Sequence, residues 1–205
     1  MVSMPREKSA SRTDLLDTAM KAFWEIGFHV VSMSDLVRET GVSRAGIYSD
    51  FANKRELFHA CLDRYQEVVV APHFAPVEAD GAGIDSIETY LNNLLMRFED
   101  AGGFGKGCLV GNTLTQIPEE ALETRQKLCA HCDRLTSGFH QVIANENGAH
   151  GPLTQAEITD LARYSMISVQ GIWSYSRLTE DVSELRAASD TLVSVLKARL
   201  RGSTQ

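Results

Sequence analysis

Ser32-Met33-Ser34-Asp35-Leu36-Val37-Arg38-Glu39-Thr40-Gly41-Val42-Ser43-Arg44-Ala45-Gly46-Ile47-Tyr48 decides the reading of the N-terminal part of the chain. Two short runs of helical periodicity, Met33 to Thr40 and Arg44 to about Phe51, are separated only by the end of the first run and Gly41-Val42-Ser43. Ser32 followed three residues later by Asp35 resembles a capping box, with Asp in place of the usual Glu. Gly41 supplies the left-handed backbone that ends the first helix, and Ser43 caps the second at once. A joint this tight does not let the helices lie antiparallel. The stretch predicts a helix-turn-helix, with Leu36, Val42 and Ile47 filling its angle.

Working outward, the spacing predicts a first helix from about Thr13 to Ile26, with Leu15, Leu16, Ala19, Met20 and Phe23 on one stripe and Gly27 stopping it. A fourth helix, opened by Asn53-x-x-Glu56, should run from near Lys54 to about Val70 and stop before Ala71-Pro72-His73-Phe74-Ala75-Pro76, where two prolines forbid continuation. Further helices are expected at roughly 84–101, 108–116, 119–146, 155–179 and 182–200, with starts at Asp85-x-x-Glu88, Thr154-x-x-Glu157 and Asp181-x-x-Glu184. The joint 102–107, Gly-Gly-Phe-Gly-Lys-Gly, is the most flexible between them. No alternating strand pattern appears. The fold class is therefore all-α with about nine helices: an N-terminal three-helix domain over 1–60 and a helical C-terminal domain over 61–205.

Composition narrows the class. The 205 residues are 43% hydrophobic and 23% charged, which places the chain among folded globular proteins. The basic start MVSMPREKSASRTD has no apolar stretch behind it, and no later run approaches a bilayer span, so a cytoplasmic protein without membrane contact is expected. Cys61, Cys108, Cys129 and Cys132 lack the density of a disulfide framework and read as reduced thiols. The formal charge of -7 is uneven. Residues 1–60 carry eight basic and eight acidic side chains, leaving 12 basic and 19 acidic for 61–205. Contact with a polyanion therefore belongs to the N-terminal part, with the acidic remainder facing away.

A helix-turn-helix enters the major groove of double-stranded DNA by the N-terminal end of its second helix, placing Ser43, Arg44, Ala45 and Gly46 nearest the base edges. Ala45 and Gly46 are small enough for close backbone approach. Arg44 suits guanine O6 and N7 or a phosphate, and the sequence leaves both open. Arg6, Lys8 and Arg12 form a basic lead-in with reach to backbone or minor groove.

Gly41-Val42-Ser43-Arg44, then Ile47-Tyr48-x-x-Phe51, then Asn53-Lys54-x-Glu56-Leu57 resembles the tetracycline-repressor (TetR) family of one-component bacterial regulators over residues 12–60. The resemblance implies phosphate contacts for Tyr48 and Lys54, consistent with a phenol hydroxyl and an ammonium beside a helix N-terminus. Ser49 joins the DNA-facing set, but Ser49-Asp50 departs from the aromatic, His or basic residues usual there, and Asp50 repels phosphate. The resemblance also implies a homodimer whose second domain binds a small-molecule effector, and hence a repressor on a pseudo-palindromic operator. Ile158, Leu161, Ala162 and Ser165 line one helix face, and Leu185, Ala188, Leu192, Val195 and Leu196 another, which suits a four-helix interface between subunits.

Outside the head, Gly105-Lys106-Gly107-Cys108-Leu109-Val110-Gly111-Asn112 carries the most chemistry. It puts Cys108 in the first turn of a helix, where the dipole and Lys106 favour thiolate. This Gly-Cys-Leu segment resembles a branch of the family that includes repressors responsive to small electrophiles and short unsaturated acids. The resemblance makes Cys108 a candidate sensor, beside the reading of a small buried residue packing under the loop. Cys129-Ala130-His131-Cys132 has no second ligand pair, so no metal site is expected. Asn112, Tyr90, Phe98, Phe139, Tyr164, Trp173 and Tyr175 are the candidate effector-pocket residues, supplying aromatic walls and a polar handle. No nucleophile–base–orienter set, phosphate loop or paired carboxylates stand out, so neither an enzyme nor a cofactor is expected. The competing reading is a thiol-based redox or metal-sensing protein.

Overall fold

The computed structural model describes residues 12–103, 105–118, 121–149 and 151–202, so Arg6, Lys8, Phe104 and the helix start expected at 119 lie outside the described residues. The described residues form ten α-helices and one π-helical turn, with no strand among them. The chain divides into two units, 1–65 and 66–205.

In the first unit, α1 (Arg12–Ile26) buries Leu15, Ala19, Met20, Ala22 and Phe23. It ends where the Gly27 N–H donates to the Phe23 carbonyl at 3.0 Å. The elements α2 (Met33–Thr40), α3 (Arg44–Asp50) and α4 (Lys54–Tyr65) follow. Phe23, Phe28 and Phe58 stack with centroids 4.8–6.0 Å apart. Phe23, Leu36, Ile47, Leu57 and Phe58 are almost wholly buried, each contributing about 1.5–3 kcal/mol. Cys61, Arg64 and Tyr65 also bond into this unit. Cys61 faces the Leu16 carbonyl, Arg64 grips both Asp17 oxygens at 2.7 and 3.2 Å, and Tyr65 meets Trp24 edge-on at 4.9 Å. These contacts carry the first unit five residues past the boundary expected at 60.

The second unit opens on the π turn (Gln66–Val70), runs directly into α5 (Ala71–Glu78), and continues through α6 (Ile84–Asp100), α7 (Leu109–Leu114), α8 (Leu122–Asn147), α9 (Gln155–Tyr175) and α10 (Val182–Leu200). Helix α5 corrects the expectation of a break at the prolines. Pro72 occupies the first turn, where a backbone N–H has no intrahelical partner to lose, and Pro76 lies in the second turn, two residues before the helix ends. The uninterrupted helix expected from Lys54 to Val70 is instead α-helix to Tyr65 and π-helix beyond.

Capping largely follows the predicted residues. Ser32 and Asp35 close a reciprocal box, as do Thr154 and Glu157, while Asn53 accepts from Arg55 and Glu56 N–H, and Asp181 from Ser183 N–H. Asp85 is the exception: Gly83 caps α6 and Glu146 from α8 accepts the Ile84 N–H at 3.2 Å, leaving Asp85 inside the first turn. Gly138 on α8 admits the Phe74 ring so closely that a Cβ there would stand 2.6 Å from it.

The two stripes expected to form a subunit interface are mostly consumed within one chain. Ile158, Leu161, Ala162, Ser165, Leu185, Leu192 and Leu196 are all buried in the single protomer; of the named positions, Ala188 is exposed and Val195 half-buried. Helical period marks a buried face without naming what buries it. No helix among the described residues is long and apolar enough to cross a membrane.

Candidate functional site

The turn between α2 and α3 is held at both ends by short-range bonds. Gly41 sits at φ 68° and its N–H donates to the Val37 carbonyl, the left-handed stop expected of it. Thr40 Oγ1 donates to the Leu36 carbonyl at 2.6 Å and accepts the Val42 N–H at 3.2 Å, so its hydroxyl spans the joint. Ser43 Oγ accepts the Gly46 N–H at 3.1 Å, taking one of the N–H groups that the first turn of α3 leaves unpaired. A Cβ on Gly46 would stand 2.9 Å from Val42 Cγ1, so this position requires the glycine for close packing.

Helix α3 is anchored by one residue. Ile47 is buried, Val42 and Gly46 are half-buried, and Ser43, Arg44, Ala45, Tyr48, Ser49 and Asp50 are exposed. Ser49 Oγ donates to the Gly46 carbonyl at 2.7 Å, which turns that hydroxyl back onto its own helix. The Lys54 ammonium lies 4.6 Å from the Phe28 ring centroid, and partial burial lowers its pKa. The Arg12 guanidinium lies over Phe51 at 5.1 Å. Aromatic faces thus position both cations at the ends of their helices. On α2, Asp35 is held ionised by its bonds from Ser32, and Arg38 closes on it at 2.9 Å.

The second unit holds a buried polar cluster. His131, on the apolar face of α8 between Leu128 and Leu135, is 4% exposed. Its Nε2 meets Gln170 Nε2 at 3.0 Å and Cys108 Sγ at 3.8 Å, and its Nδ1 faces the Gln66 amide, nitrogen at 2.9 Å and oxygen at 3.3 Å. Burial, reinforced by the Arg134 charge, pushes its pKa down to about 4, so the ring is neutral. Phe74 stacks edge-on with both Tyr90 and Phe139, and burial raises the Tyr90 phenol, with nearby Cys108 adding to the shift. Gln170 Oε1 and the Trp173 indole N–H are buried without a hydrogen bond of normal geometry; the indole lies on the side of the Tyr90 hydroxyl.

Of the residues predicted for an effector pocket, Cys108, Tyr90, Phe139 and Trp173 are therefore brought together. Cys108 is the N-cap of α7 rather than a first-turn residue, and it is buried. Asn112 donates to the Lys106 carbonyl at 2.8 Å and braces the preceding loop. Phe98 packs with Leu95, Ile172 and Leu185, a cluster that Trp173 also borders. Tyr164 and Tyr175 are corrections: at 42% and 47% exposed they stand on the outside of α9, because their positions fall off its buried stripe. Gln66, His131 and Gln170 went unpredicted as site residues, although the i, i+3, i+7 spacing of Leu128, His131 and Leu135 marks the histidine as inward-facing.

Comparison with known proteins places this geometry. The model of bacterial regulatory proteins of the tetR family matches residues 15–61, which span α1 to α4. The HTH-type transcriptional repressor ComR of Escherichia coli is 25% identical over 189 residues, covering 92% of this chain and 90% of ComR. A TetR transcriptional regulator from Chloroflexus aurantiacus superposes with a TM-score of 0.76 at 20% identity, over 91% of this chain and 93% of that one. A cysteine mutant of the TetR family regulator CifR, solved with 26-base-pair double-strand operator DNA, superposes with a TM-score of 0.72 at 20% identity, over 98% and 99%. With its α2–α3 turn and its exposed α3, the N-terminal unit matches the tetR family of bacterial regulatory proteins over residues 15–61, and the chain as a whole is similar to helix-turn-helix transcriptional regulators and shares their fold over nearly its whole length.

Proposed function

We propose that this regulator is a homodimeric repressor that holds a pseudo-palindromic operator through two copies of α3 and lets go when a small molecule occupies the interior of residues 66–205. One observation carries the reading: α3 is fixed by Ile47 alone and leaves Ser43, Arg44, Ala45, Tyr48 and Ser49 outward. Ser43 to Gly46 approach the base edges, while Tyr48, and Lys54 and Arg12 from their helix ends, take phosphates. ComR is named a repressor, and CifR is solved on operator DNA, which supports the same work here. Such a protein acts by binding and requires no cofactor. It works where the chromosome is.

The second copy is given a seat by α9 and α10. An open groove of about 380 Å³ between them is lined by Tyr164, Ser168, Ile172, Ala187, Ala188, Thr191 and Leu192, and Ile167 is 58% exposed beside it. Ala187 and Ala188 let a partner helix approach closely. A dimer spaces two α3 helices to match half-sites, and effector binding changes that spacing at the expense of DNA affinity. The test is light scattering and operator titration of Ala188→Glu beside the wild-type chain. The variant should be monomeric and bind operator at least roughly 100-fold more weakly, since one half-site contact is lost; a variant that remains dimeric places the interface elsewhere.

A further inference from the structure

Ile47 is the buried residue of α3, so it sets the rotation of that helix on the rest of the first unit. At about 100° per residue, Ala45 and Ser49 each lie about 160° from Ile47 and about 40° from one another, on the outermost line of the helix. Arg44 and Tyr48, also about 40° apart, share one flank, and Gly46 and Asp50 share the other. Gly46 is taken up by its packing on Val42, and the Ser43 oxygen by the Gly46 N–H at 3.1 Å. The outermost line therefore carries two small, exposed side chains of different chemistry. Ala45 offers a methyl group and no polar atom. The Ser49 hydroxyl gives its single proton to the Gly46 carbonyl at 2.7 Å, so what it turns outward is an acceptor.

We propose that Ala45 and Ser49 are the residues through which this chain reads its operator, Ala45 meeting the methyl group of a thymine and Ser49 accepting from the amino group of an adenine or a cytosine, with Arg44 beside Tyr48 on the phosphates. The inference rests on the approach of α3 to DNA and goes beyond it to the bases selected. In the major groove thymine is the base that presents a methyl group, and the donors are adenine N6 and cytosine N4. Guanine presents only the acceptors O6 and N7 there, and thymine the acceptor O4, so an acceptor-only hydroxyl is matched by adenine or cytosine and opposed by the other two. Residues four apart are separated by about 6 Å along a helix, which places the two base pairs about two steps apart at about 3.4 Å per step. Arg44 is turned about 120° from the outermost line, toward the strand backbone that Tyr48 meets.

The experiment selects duplexes from a random pool with the full-length chain and compares affinities for the selected operator and its variants. Replacing the contacted thymine by uracil in both half-sites removes only a methyl group from each, and should weaken wild-type binding roughly 10-fold. Ala45→Gly should bind the two operators equally, and taking the ratio within one protein cancels any loss of α3 stability. About two steps away, guanine or thymine in place of the selected adenine or cytosine should weaken the wild-type chain at least roughly 10-fold, and Ser49→Ala should remove that discrimination. Arg44→Ala should weaken binding to selected and unrelated duplexes by the same factor. A thymine-to-uracil ratio near one at every thymine of the half-site, or a ratio that Ala45→Gly retains, overturns the Ala45 assignment. Guanine or thymine selected at the second position, or discrimination that survives Ser49→Ala, overturns the Ser49 assignment, and a changed base preference in Arg44→Ala overturns its place on the backbone. Failure to select any duplex sinks the reading of α3 as a DNA-binding helix, whereas a selected operator without these ratios sinks only the base assignment.

Discussion

Acid should loosen residues 66–205 through His131. The imidazole titrates at about 4 in the folded chain against an ordinary value of 6.5, mainly because burial disfavours the charged ring. Between those values the unfolded chain binds a proton that the folded one refuses, so stability falls as pH falls. The contribution is fully present above the ordinary value, is reduced by roughly 2 kcal/mol at a pH of about 5, and is reduced by roughly 3 kcal/mol below a pH of about 4. The chain has two tryptophans, Trp24 in the first unit and Trp173 in the second, so a Trp24→Phe background makes emission report on the second alone. Urea titrations of that background at pH near 7.5 and near 5, with and without His131→Gln, give the difference directly. His73, also lowered by burial, and the carboxylates titrate in both proteins and cancel. Equal acid losses in the two proteins would show that His131 does not carry the effect.

Three further outcomes are expected. Gly138→Ala forces a methyl to within 2.6 Å of the Phe74 ring and 3.2 Å of Val77, and should cost about 1–3 kcal/mol in the same Trp173 urea assay. Ser43→Ala removes the cap on α3 and should destabilise the first unit by about 1 kcal/mol, read from Trp24 emission, with operator affinity falling as well. Tyr48→Phe, at a 43% exposed position, should leave stability unchanged but weaken binding to specific and unrelated duplexes by the same factor, as loss of a phosphate contact does.

The head was legible because its signals are local. Gly41, Ser43 and Ser32 act on backbone groups within four residues, and the caps and the left-handed stop form where the sequence puts them. The second unit was legible as helices and not as a site. The π turn and α5 escaped because Pro72 forbids a helix interior but suits a helix start, and a position within a helix is not a property of the proline alone. Tyr164 and Tyr175 were read as pocket walls because aromatic character says nothing about which face of α9 is buried. The polar cluster is built from positions 66, 108, 131 and 170, each from a different segment, and only packing brings them within hydrogen-bond reach. His131 did leave a trace in its spacing, but its partners left none.

The most direct test is whether α3 lies in the major groove of two symmetric half-sites. In a Cys129→Ser, Cys132→Ser background, Ala45→Cys carrying a chelated-iron cleavage reagent maps that position on a duplex selected by the full-length chain. Strand cuts are expected at two major-groove positions, symmetric about the operator centre and separated by about one helical turn, or a whole multiple of it. Cuts at a single position, cuts confined to the minor groove, or cuts scattered without symmetry would contradict it.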